Sequence, residues 1–251
     1  MALKCDQSIS IIFPAYNEEA NIQDAISQVL KYADNMFDKM EIIIVNDGST
    51  DRTGEIIEEM AEADERIRQV YHEKNKGYGA ALRSGFSVAR YDLIFFCDSD
   101  LQFHITELLL LLVWAEQYDA VIGYRARRHD KWHRKLNAWC WNRLVRVVLG
   151  LKVRDIDCAF KLFKSYIFDN IEIESVGAMV NTEILSQIVR MGFRIKEIPV
   201  THFPRTKGQQ TGANLRVIFK AFRELFTLRA KLKKTPRIVL DYGEFLKRNA
   251  T

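Results

Sequence analysis

The hydrophobic positions in the first half of the chain fall into short continuous runs, separated by amphipathic stretches. Apolar runs of four to six residues, rich in β-branched and aromatic types, are typical of strands buried on both faces of a sheet. They predict strands at residues 8–13, 41–45, 67–71, 93–96 and 120–123. Helical spacing of apolar residues predicts helices at 22–32 and 107–117. It also predicts one helix that follows the polar cluster at 46–51 and ends near residue 63, and another that follows a glycine-rich turn and ends near residue 89. This alternation predicts an α/β fold with a mostly parallel sheet flanked by helices.

Short polar clusters follow three of the predicted strands. Asn17 and Glu18 come after the first strand, Asp47 after the second, and Asp98 and Asp100 after the fourth. The carboxyl ends of parallel strands share one edge of a sheet, where α/β proteins bind ligands. A lone acid in this position is often a helix cap. Three clusters on one edge instead predict a pocket for a base, a ribose and a diphosphate.

Asp98 and Asp100 are the strongest candidates for chemistry. In extended backbone, side chains two residues apart point the same way, so these carboxylates repel each other unless a cation lies between them. Hard oxygen ligands favour Mg²⁺ or Mn²⁺, ions that usually also hold substrate phosphates. The alternative is a pair of solvated loop acids.

A glycine-rich turn precedes the third predicted helix. Free backbone N–H groups at a helix start can hold a phosphate, and Lys76 lies beside Gly77 at this turn. A simple flexible turn is the alternative.

Composition indicates an ordinary globular chain. Its 251 residues are 48% hydrophobic and 28% charged, which suits one domain plus an appendage. We place the domain at residues 1–212, and a basic amphipathic helix and tail at residues 213–251. The polar start of the chain and the irregular spacing of its four cysteines predict a cytoplasmic protein with reduced thiols.

The net charge of +4 conceals an uneven distribution. Residues 1–123 carry 22 acidic and 10 basic residues, whereas residues 124–154 carry one acidic and 10 basic. Residues 201–251 carry three acidic and 12 basic residues. These basic blocks favour an anion or an anionic surface, with a solvated basic face as the alternative. No nucleic-acid-binding motif accompanies them, so no nucleic-acid partner is expected.

Four motifs, taken in order, resemble the family 2 inverting glycosyltransferases of the GT-A (Rossmann-like) fold. They are Phe13-Pro14-Ala15-Tyr16-Asn17-Glu18-Glu19, Val45-Asn46-Asp47-Gly48-Ser49-Thr50-Asp51, Gly77-Tyr78-Gly79-Ala80-Ala81 and Asp98-Ser99-Asp100-Leu101-Gln102. The last motif is most similar to the dolichyl- and polyprenyl-phosphate mannosyl- and glucosyltransferases. The resemblance implies metal-dependent transfer of a hexose from a nucleotide-diphosphate sugar, of GDP-mannose or UDP-glucose type, to a polyprenyl or dolichyl phosphate.

The resemblance also implies roles for individual residues. Nucleotide-sugar binding would involve Pro14, Tyr16, Asn17, Glu18, Val45, Asp47, Lys76, Gly77, Asp98, Ser99 and Lys207. The Mg²⁺ or Mn²⁺ ion would be held by Asp98, Asp100 and Gln102. The catalytic residues would be Asp100, Arg125, Arg134, Arg205, Asp157 and Glu183. Of these, Arg125 and Arg134 match arginines that bind the acceptor phosphate.

The nature of the acceptor stays open. A lipid phosphate is already ionised at neutral pH and needs only arginines to position it. A hydroxyl acceptor, as in polysaccharide or glycolipid synthesis, needs a carboxylate base, for which Asp155, Asp157 and Glu183 are candidates. The chain departs from the family pattern at Ala138 and at residues 157–159. A non-catalytic nucleotide-sugar-binding subunit is a third possibility.

Two amphipathic stretches suit a membrane interface. Residues 214–234 combine helically spaced apolar residues with seven basic ones, and residues 132–149 combine three tryptophans with basic residues. We therefore expect peripheral contact with the inner, cytoplasmic face of a membrane or with a membrane-anchored partner. Packing on the domain is the alternative, and is expected for the first half of the 214–234 stretch. Residues 235–251 are expected to form a loosely docked tail.

Overall fold

The computed structural model describes residues 7–33, 36–128, 132–205 and 215–234. The strands are β1 (Ile9–Ala15), β2 (Met40–Asn46), β3 (Ile67–Tyr71), β4 (Leu93–Cys97), β5 (Ala120–Arg128), β6 (Phe160–Lys164) and β7 (Ile195–His202). The α-helices are α1 (Ile22–Ala33), α2 (Thr53–Ala63), α3 (Tyr78–Val88), α4 (Leu108–Leu112), α5 (Trp132–Leu149), α6 (Tyr166–Asn170), α7 (Val180–Met191) and α8 (Leu215–Lys234).

The seven strands form one sheet in the order β3-β2-β1-β4-β6-β5-β7. Strands β1 to β4 pair in parallel, as do β5 and β7. Only β6 is antiparallel to its neighbours, β4 and β5, among the described strands. Every residue of β1, β2 and β4 is buried, as expected for strands with helices on both faces. The predicted mostly parallel α/β sheet is confirmed, and all five predicted strands are present.

Strand β6 is not predicted by the hydrophobic pattern, although it lies near the middle of the sheet. Its sequence, Phe-Lys-Leu-Phe-Lys, places Lys161 at a position that is 1% exposed. A lysine interrupts the apolar run that identifies a buried strand, so the local pattern gives no signal. The lysine is accommodated because its ammonium group donates to three oxygen atoms: the carbonyls of Ile156 and Cys158 in the preceding loop, and Asn181 Oδ1 in α7.

The predicted helix at residues 107–117 is wrong in its length. A 3₁₀ turn at Ile105–Glu107 leads into the short helix α4, which ends at Leu112. Beyond it, the amides of Trp114 and Ala115 bond three residues back, to Leu111 and Leu112. This tightening ends the helix, and the chain then turns so that β5 can begin at Ala120.

The helices α5 and α8 pack against each other and against the domain. Trp141 of α5 meets Phe222 of α8 edge to face, with 5.8 Å between ring centroids. The side chains of α8 that face inward include Leu225, Leu228 and Leu232, all buried. Packing therefore extends into the second half of α8, where we expected surface contact. Within the described part of the chain, none of the helices is both long enough and apolar enough to cross a membrane.

Candidate functional site

Three parallel strands bring the predicted polar clusters to one edge of the sheet. Ala15, the last residue of β1, pairs with Asn46, the last residue of β2. On the other side of β1, Ile12 pairs with Phe96 near the end of β4. The loops that begin at Tyr16, Asp47 and Asp98 therefore leave the sheet side by side, as the sequence predicts.

The loops after β1 and β2 are joined by hydrogen bonds into one wall of the site. The Asn17 amide donates to Ser49 Oγ at 3.0 Å, and Asn17 Oδ1 accepts from the Thr50 amide at 2.8 Å. The Glu18 amide donates to Thr53 Oγ1 at 2.8 Å. Asn17 has φ of 54°, a left-handed conformation that asparagine tolerates better than most residues. Its side chain thus positions the neighbouring loop, while the ring of Tyr16 is exposed.

Asp47 anchors the glycine-rich turn. Its buried carboxylate accepts from the amides of Lys76 at 2.9 Å and Gly77 at 2.8 Å, and lies 2.7 Å from His72 Nδ1. Gly77 has φ of 101°, and a Cβ there would lie 2.3 Å from the Val176 carbonyl oxygen, so only glycine fits. The predicted residues Asp47, Lys76 and Gly77 thus lie together, held by a carboxylate that three donors surround.

Pro14, Val45 and Ser99 lie beneath the floor of the site. Val45 is fully buried in β2, and Pro14 is buried in β1. The Ser99 hydroxyl donates to the Pro14 carbonyl oxygen at 3.2 Å, which ties the loop after β4 to β1. Their predicted contact with a nucleotide stays a prediction.

The Asp98 and Asp100 carboxylates are both partly buried and lie close enough to influence each other's charge. Burial and the nearby charge of Asp100 raise the pKa of Asp98 to about 7, although the Tyr78 hydroxyl donates to Asp98 Oδ1 at 2.9 Å and opposes the shift. Burial also raises the pKa of Asp100, against the opposing effects of the Gln102 amide and Arg205. Both shifts reflect the free-energy cost of placing two negative charges in a poorly solvated site.

This acidic pair fits a divalent cation that is completed by other ligands. Within the residues that the structure describes, no group of three or more His, Cys, Asp or Glu side chains is arranged to hold a metal ion. Mg²⁺ is commonly held by one or two carboxylates plus waters and substrate phosphates, and Asp98 and Asp100 supply two carboxylates. Gln102 is engaged nearby, because its Nε2 donates to the Phe203 carbonyl oxygen at 2.9 Å.

Arg205 brings a positive charge to the same place. Its Nη2 lies 2.6 Å from Glu18 Oε1, and its Nη1 lies 3.8 Å from Asp100 Oδ2. The segment that follows β7 is also held by a bond from the Phe203 amide to the Gln102 carbonyl oxygen at 2.8 Å. Arg205 therefore connects the loop after β1 with the loop after β4. Lys207, the second cation predicted for this segment, lies outside the described residues.

Arg125 is paired with a carboxylate. Its Nε and Nη2 donate to the two oxygens of Asp155, each at 2.7 Å. Burial alone would lower the pKa of Arg125, but the bonds to Asp155 raise it above its ordinary value. Asp155 is thereby committed to Arg125, whereas Asp157 is exposed. The other predicted acceptor residue, Arg134, lies in α5.

Glu183 fixes a loop beside the glycine-rich turn. It is 2% exposed, and its Oε2 accepts from the amides of Glu174 at 3.1 Å and Ser175 at 2.8 Å. The next carbonyl along this loop, that of Val176, accepts from the Gly79 amide at 2.9 Å. The position of Glu183 thus indicates a role in supporting the start of α3.

Comparison with known proteins identifies the family of this arrangement. The profile described as Glycosyl transferase family 2 matches residues 10–172, which include β2 to β6, all of β1 except its first residue, and the acidic residues Glu18, Asp47, Asp98 and Asp100. The chain belongs to glycosyltransferase family 2. The resemblance carried by the four motifs is confirmed.

Relatives of this glycosyltransferase family 2 member include several named enzymes. Glycosyltransferase AglD of Haloferax volcanii is 32% identical over 78% of this chain and 33% of its own length. The undecaprenyl-phosphate 4-deoxy-4-formamido-L-arabinose transferases of Edwardsiella ictaluri and Shewanella sediminis are 29% and 32% identical, over 86% and 80% of this chain. The chain spans 66% and 60% of those two proteins.

The fold of this family 2 member is also found in solved structures. Glucosyl-3-phosphoglycerate synthase of Mycobacterium tuberculosis, in complex with Mn²⁺, uridine diphosphate and phosphoglyceric acid, superposes with a TM-score of 0.70. The match covers 92% of this chain and 80% of that one at 20% identity. The GT-A fold expected from the motifs is therefore confirmed.

Several site residues of this glycosyltransferase family 2 member are missing from the sequence predictions. His72 and Tyr78 contact Asp47 and Asp98, and Lys161 is fully buried behind the site. The sequence could have indicated Tyr78, because this residue directly follows Gly77 in the glycine-rich turn. The role of His72 depends on Asp47 and Ser84, which lie more than ten residues away in the sequence. The burial of Lys161 depends on Asn181, 20 residues away, together with carbonyl oxygens of its own preceding loop.

Proposed function

We propose that this chain is a metal-dependent, inverting glycosyltransferase that moves a hexose from a nucleotide-diphosphate sugar to a polyprenyl phosphate. The main support for this proposal is the Asp98 and Asp100 pair at the carboxyl edge of the sheet, with Arg205 Nη1 3.8 Å from Asp100 Oδ2. Two carboxylates with raised pKa values beside a guanidinium suit a cation-bound diphosphate. The cation would compensate the negative charge of the carboxylates, and the diphosphate would compensate the positive charge of Arg205.

On the donor side, the chain would hold the leaving group. Asp98 and Asp100 would bind Mg²⁺ or Mn²⁺ on the diphosphate, and the cation would neutralise negative charge as the sugar bond breaks. Arg205 would exchange its contact with Glu18 for a phosphate oxygen, with Lys207 as a second cation. The wall built on Asn17 and Glu18 would face the nucleoside, with the exposed Tyr16 ring available for stacking on the base. A GDP-mannose or UDP-glucose type of donor suits this arrangement.

On the acceptor side, a lipid phosphate is supported by the relatives. Two of them are named as undecaprenyl-phosphate transferases, and they match 80% or more of this chain. Such an acceptor carries its own negative charge, so no general base is required. Arg125 and Arg134 would position it, Arg125 after loosening its contact with Asp155.

A hydroxyl acceptor is the second candidate, and one observation favours it. Both oxygens of Asp155 bind Arg125 at 2.7 Å, so the guanidinium face that would grip a phosphate bidentately is already filled. Asp157 is exposed nearby in sequence and could act as a base toward a hydroxyl. A non-catalytic nucleotide-sugar-binding subunit would need neither feature.

A peripheral membrane position is supported by the outer surfaces of α5 and α8. Trp139 is 62% exposed and Phe226 is 53% exposed, and basic residues such as Arg223, Arg229 and Lys233 accompany them on these helices. An aromatic and basic surface of this kind suits an anionic membrane interface on the cytoplasmic side.

Transfer assays with defined acceptors test the proposal. Radiolabelled GDP-mannose and UDP-glucose would each be offered with undecaprenyl phosphate in detergent, with Mg²⁺, Mn²⁺ or EDTA. We expect label in the lipid only with a cation, and a loss of at least about a hundredfold in Asp100→Asn. Asp64→Asn, which removes a carboxylate paired with Arg66 at the start of β3, is the matched control.

Three outcomes separate the candidates. Transfer to sugar or glycolipid hydroxyls but not to undecaprenyl phosphate would establish the second candidate. Nucleotide-sugar binding without transfer to any acceptor, unchanged in Asp100→Ala, would establish the binding subunit. Metal-independent transfer to the lipid would refute the role given to Asp98 and Asp100.

A further inference from the structure

Lys161 is a buried cation that the proposed reaction does not use. Its side chain is 1% exposed in β6. Its ammonium group donates to the carbonyl oxygens of Ile156, at 3.1 Å, and Cys158, and to Asn181 Oδ1 at 3.0 Å. Three donors thus meet three acceptors. Burial lowers the pKa of Lys161, the mark of a charge held where water does not reach it.

A directional chain of hydrogen bonds leads from Lys161 to the acidic pair. Because Asn181 Oδ1 accepts from Lys161, the amide nitrogen of Asn181 is left to donate toward Tyr78. Burial raises the pKa of the Tyr78 hydroxyl, and the side chain of Asn181 opposes this rise, as a donor beside that hydroxyl does. The hydroxyl proton of Tyr78 in turn goes to Asp98 Oδ1 at 2.9 Å. Each donor points toward the carboxylate, so the positive end of the chain is Lys161 and the negative end is Asp98.

The other contacts of Lys161 lie on the acceptor side. Ile156 and Cys158 flank Asp157 and follow Asp155, the residue that binds Arg125. One ammonium group therefore holds both the loop that carries the candidate acceptor residues and, through two side chains, the candidate donor carboxylate. A purely structural lysine would need only the loop carbonyls.

We propose that Lys161 is a positioning residue that, through Asn181 and Tyr78, fixes the Asp98 carboxylate for the cation and diphosphate of the donor. The inference rests on the proposed function, because it takes Asp98 as a donor-site ligand. Lys161 touches neither substrate. Groups of this kind typically change metal affinity or activity by about 10–100-fold when removed.

A double-mutant cycle tests this in the whole chain. Lys161→Met keeps the length of the side chain without its charge, and Tyr78→Phe removes only the hydroxyl that bonds Asp98. The affinity for Mn²⁺ with UDP, and for Mn²⁺ with GDP, would be measured by titration calorimetry, with thermal unfolding as a check on folding. Tyr166→Phe is the matched control, because its hydroxyl also bonds an aspartate, Asp119, at 2.6 Å but at the opposite end of the sheet.

We expect each single variant to weaken Mn²⁺–nucleotide binding by about tenfold, and the double variant to be no weaker than the worse single one. The electron paramagnetic resonance spectrum of bound Mn²⁺ should change in the same way in both single variants. Tyr166→Phe should bind like the unmodified chain. Unchanged affinity in Lys161→Met, or effects that multiply in the double variant, would overturn the inference.

A second variant and the binding of the unmodified chain separate failure of the inference from failure of the proposed function. If Lys161→Met does not fold, Asn181→Leu breaks the same chain one link later and enters the same cycle with Tyr78→Phe. If the unmodified chain binds neither Mn²⁺–UDP nor Mn²⁺–GDP, the proposed function fails, and the inference fails with it. If the unmodified chain binds but the cycle is additive, only the inference fails.

Discussion

The acidic pair should make the metal-free protein less stable as pH rises. In the folded chain the pKa of Asp98 is raised from 3.8 to about 7, so the folded state binds the proton more tightly than the unfolded state does. Stability therefore falls as pH rises between about 4 and 7, the interval in which the unfolded state has released this proton and the folded state has not. Replacing Asp98 with asparagine keeps an acceptor for Tyr78 and removes the charge.

The size of the effect follows from the two pKa values. At about 1.4 kcal/mol per pH unit, the difference between the folded and unfolded pKa values of Asp98 lowers the free energy of unfolding by at most about 4 kcal/mol. Partial solvation of the half-buried carboxylate reduces this to about 2 kcal/mol at pH 8. For a chain of this size, that should raise the melting temperature of Asp98→Asn by about 4–8 °C at pH 8. At pH 4 the variant and the unmodified chain should melt together.

Thermal unfolding in EDTA across pH 4 to 8, followed by circular dichroism, measures this difference. Asp64→Asn is a control of opposite sign, because the hydrogen bond from Arg66 lowers the pKa of Asp64. That variant should be less stable than the unmodified chain at pH 8 and converge with it as pH falls. If Asp98→Asn is no more stable than the unmodified chain at pH 8, the electrostatic account of the site is refuted.

Three further changes test other contacts. Arg205→Gln should weaken Mn²⁺–UDP binding about tenfold in calorimetry, because a charge-assisted bond to the diphosphate is lost; unchanged affinity would contradict its role. Lys231→Met breaks a 2.8 Å ion pair with Glu174, so amides of α8 should exchange hydrogen faster, whereas the exposed Lys233→Met should not change them; equal exchange in both would contradict the pairing. Gly79→Ala places a Cβ 2.2 Å from the Ser175 carbonyl oxygen and should cost about 1–3 kcal/mol in denaturant unfolding, against under about 0.5 kcal/mol for Gly177→Ala, whose Cβ meets nothing within 4 Å; equal costs would contradict this packing.

Local patterns in the sequence predict the site edge well. Buried parallel strands are continuous apolar runs, and the polar residues that end them share an edge whenever the strands are parallel. This pattern predicts Asp98, Asp100 and Glu18. The structure brings Arg205 to Glu18 across 187 residues of sequence, and to within 3.8 Å of Asp100. Family resemblance pointed to Arg205, which hydrophobic periodicity alone would have missed.

What the tertiary structure alone decides is which donors and acceptors meet. Whether Asp47 faces a ligand or the amides of residues 76 and 77 depends on how the glycine turn folds back over β2. The insertion of β6 between β4 and β5 depends on the buried partners of Lys161, which come from its own preceding loop and from α7. Apolar periodicity is a property of neighbours along the chain, and it therefore determined the layers of this protein and the edge that carries its acids. Charge compensation inside the fold is a property of neighbours in space, and for this reason the pairing of Arg125 with Asp155, and the links from Lys161 to Asp98, required the structure.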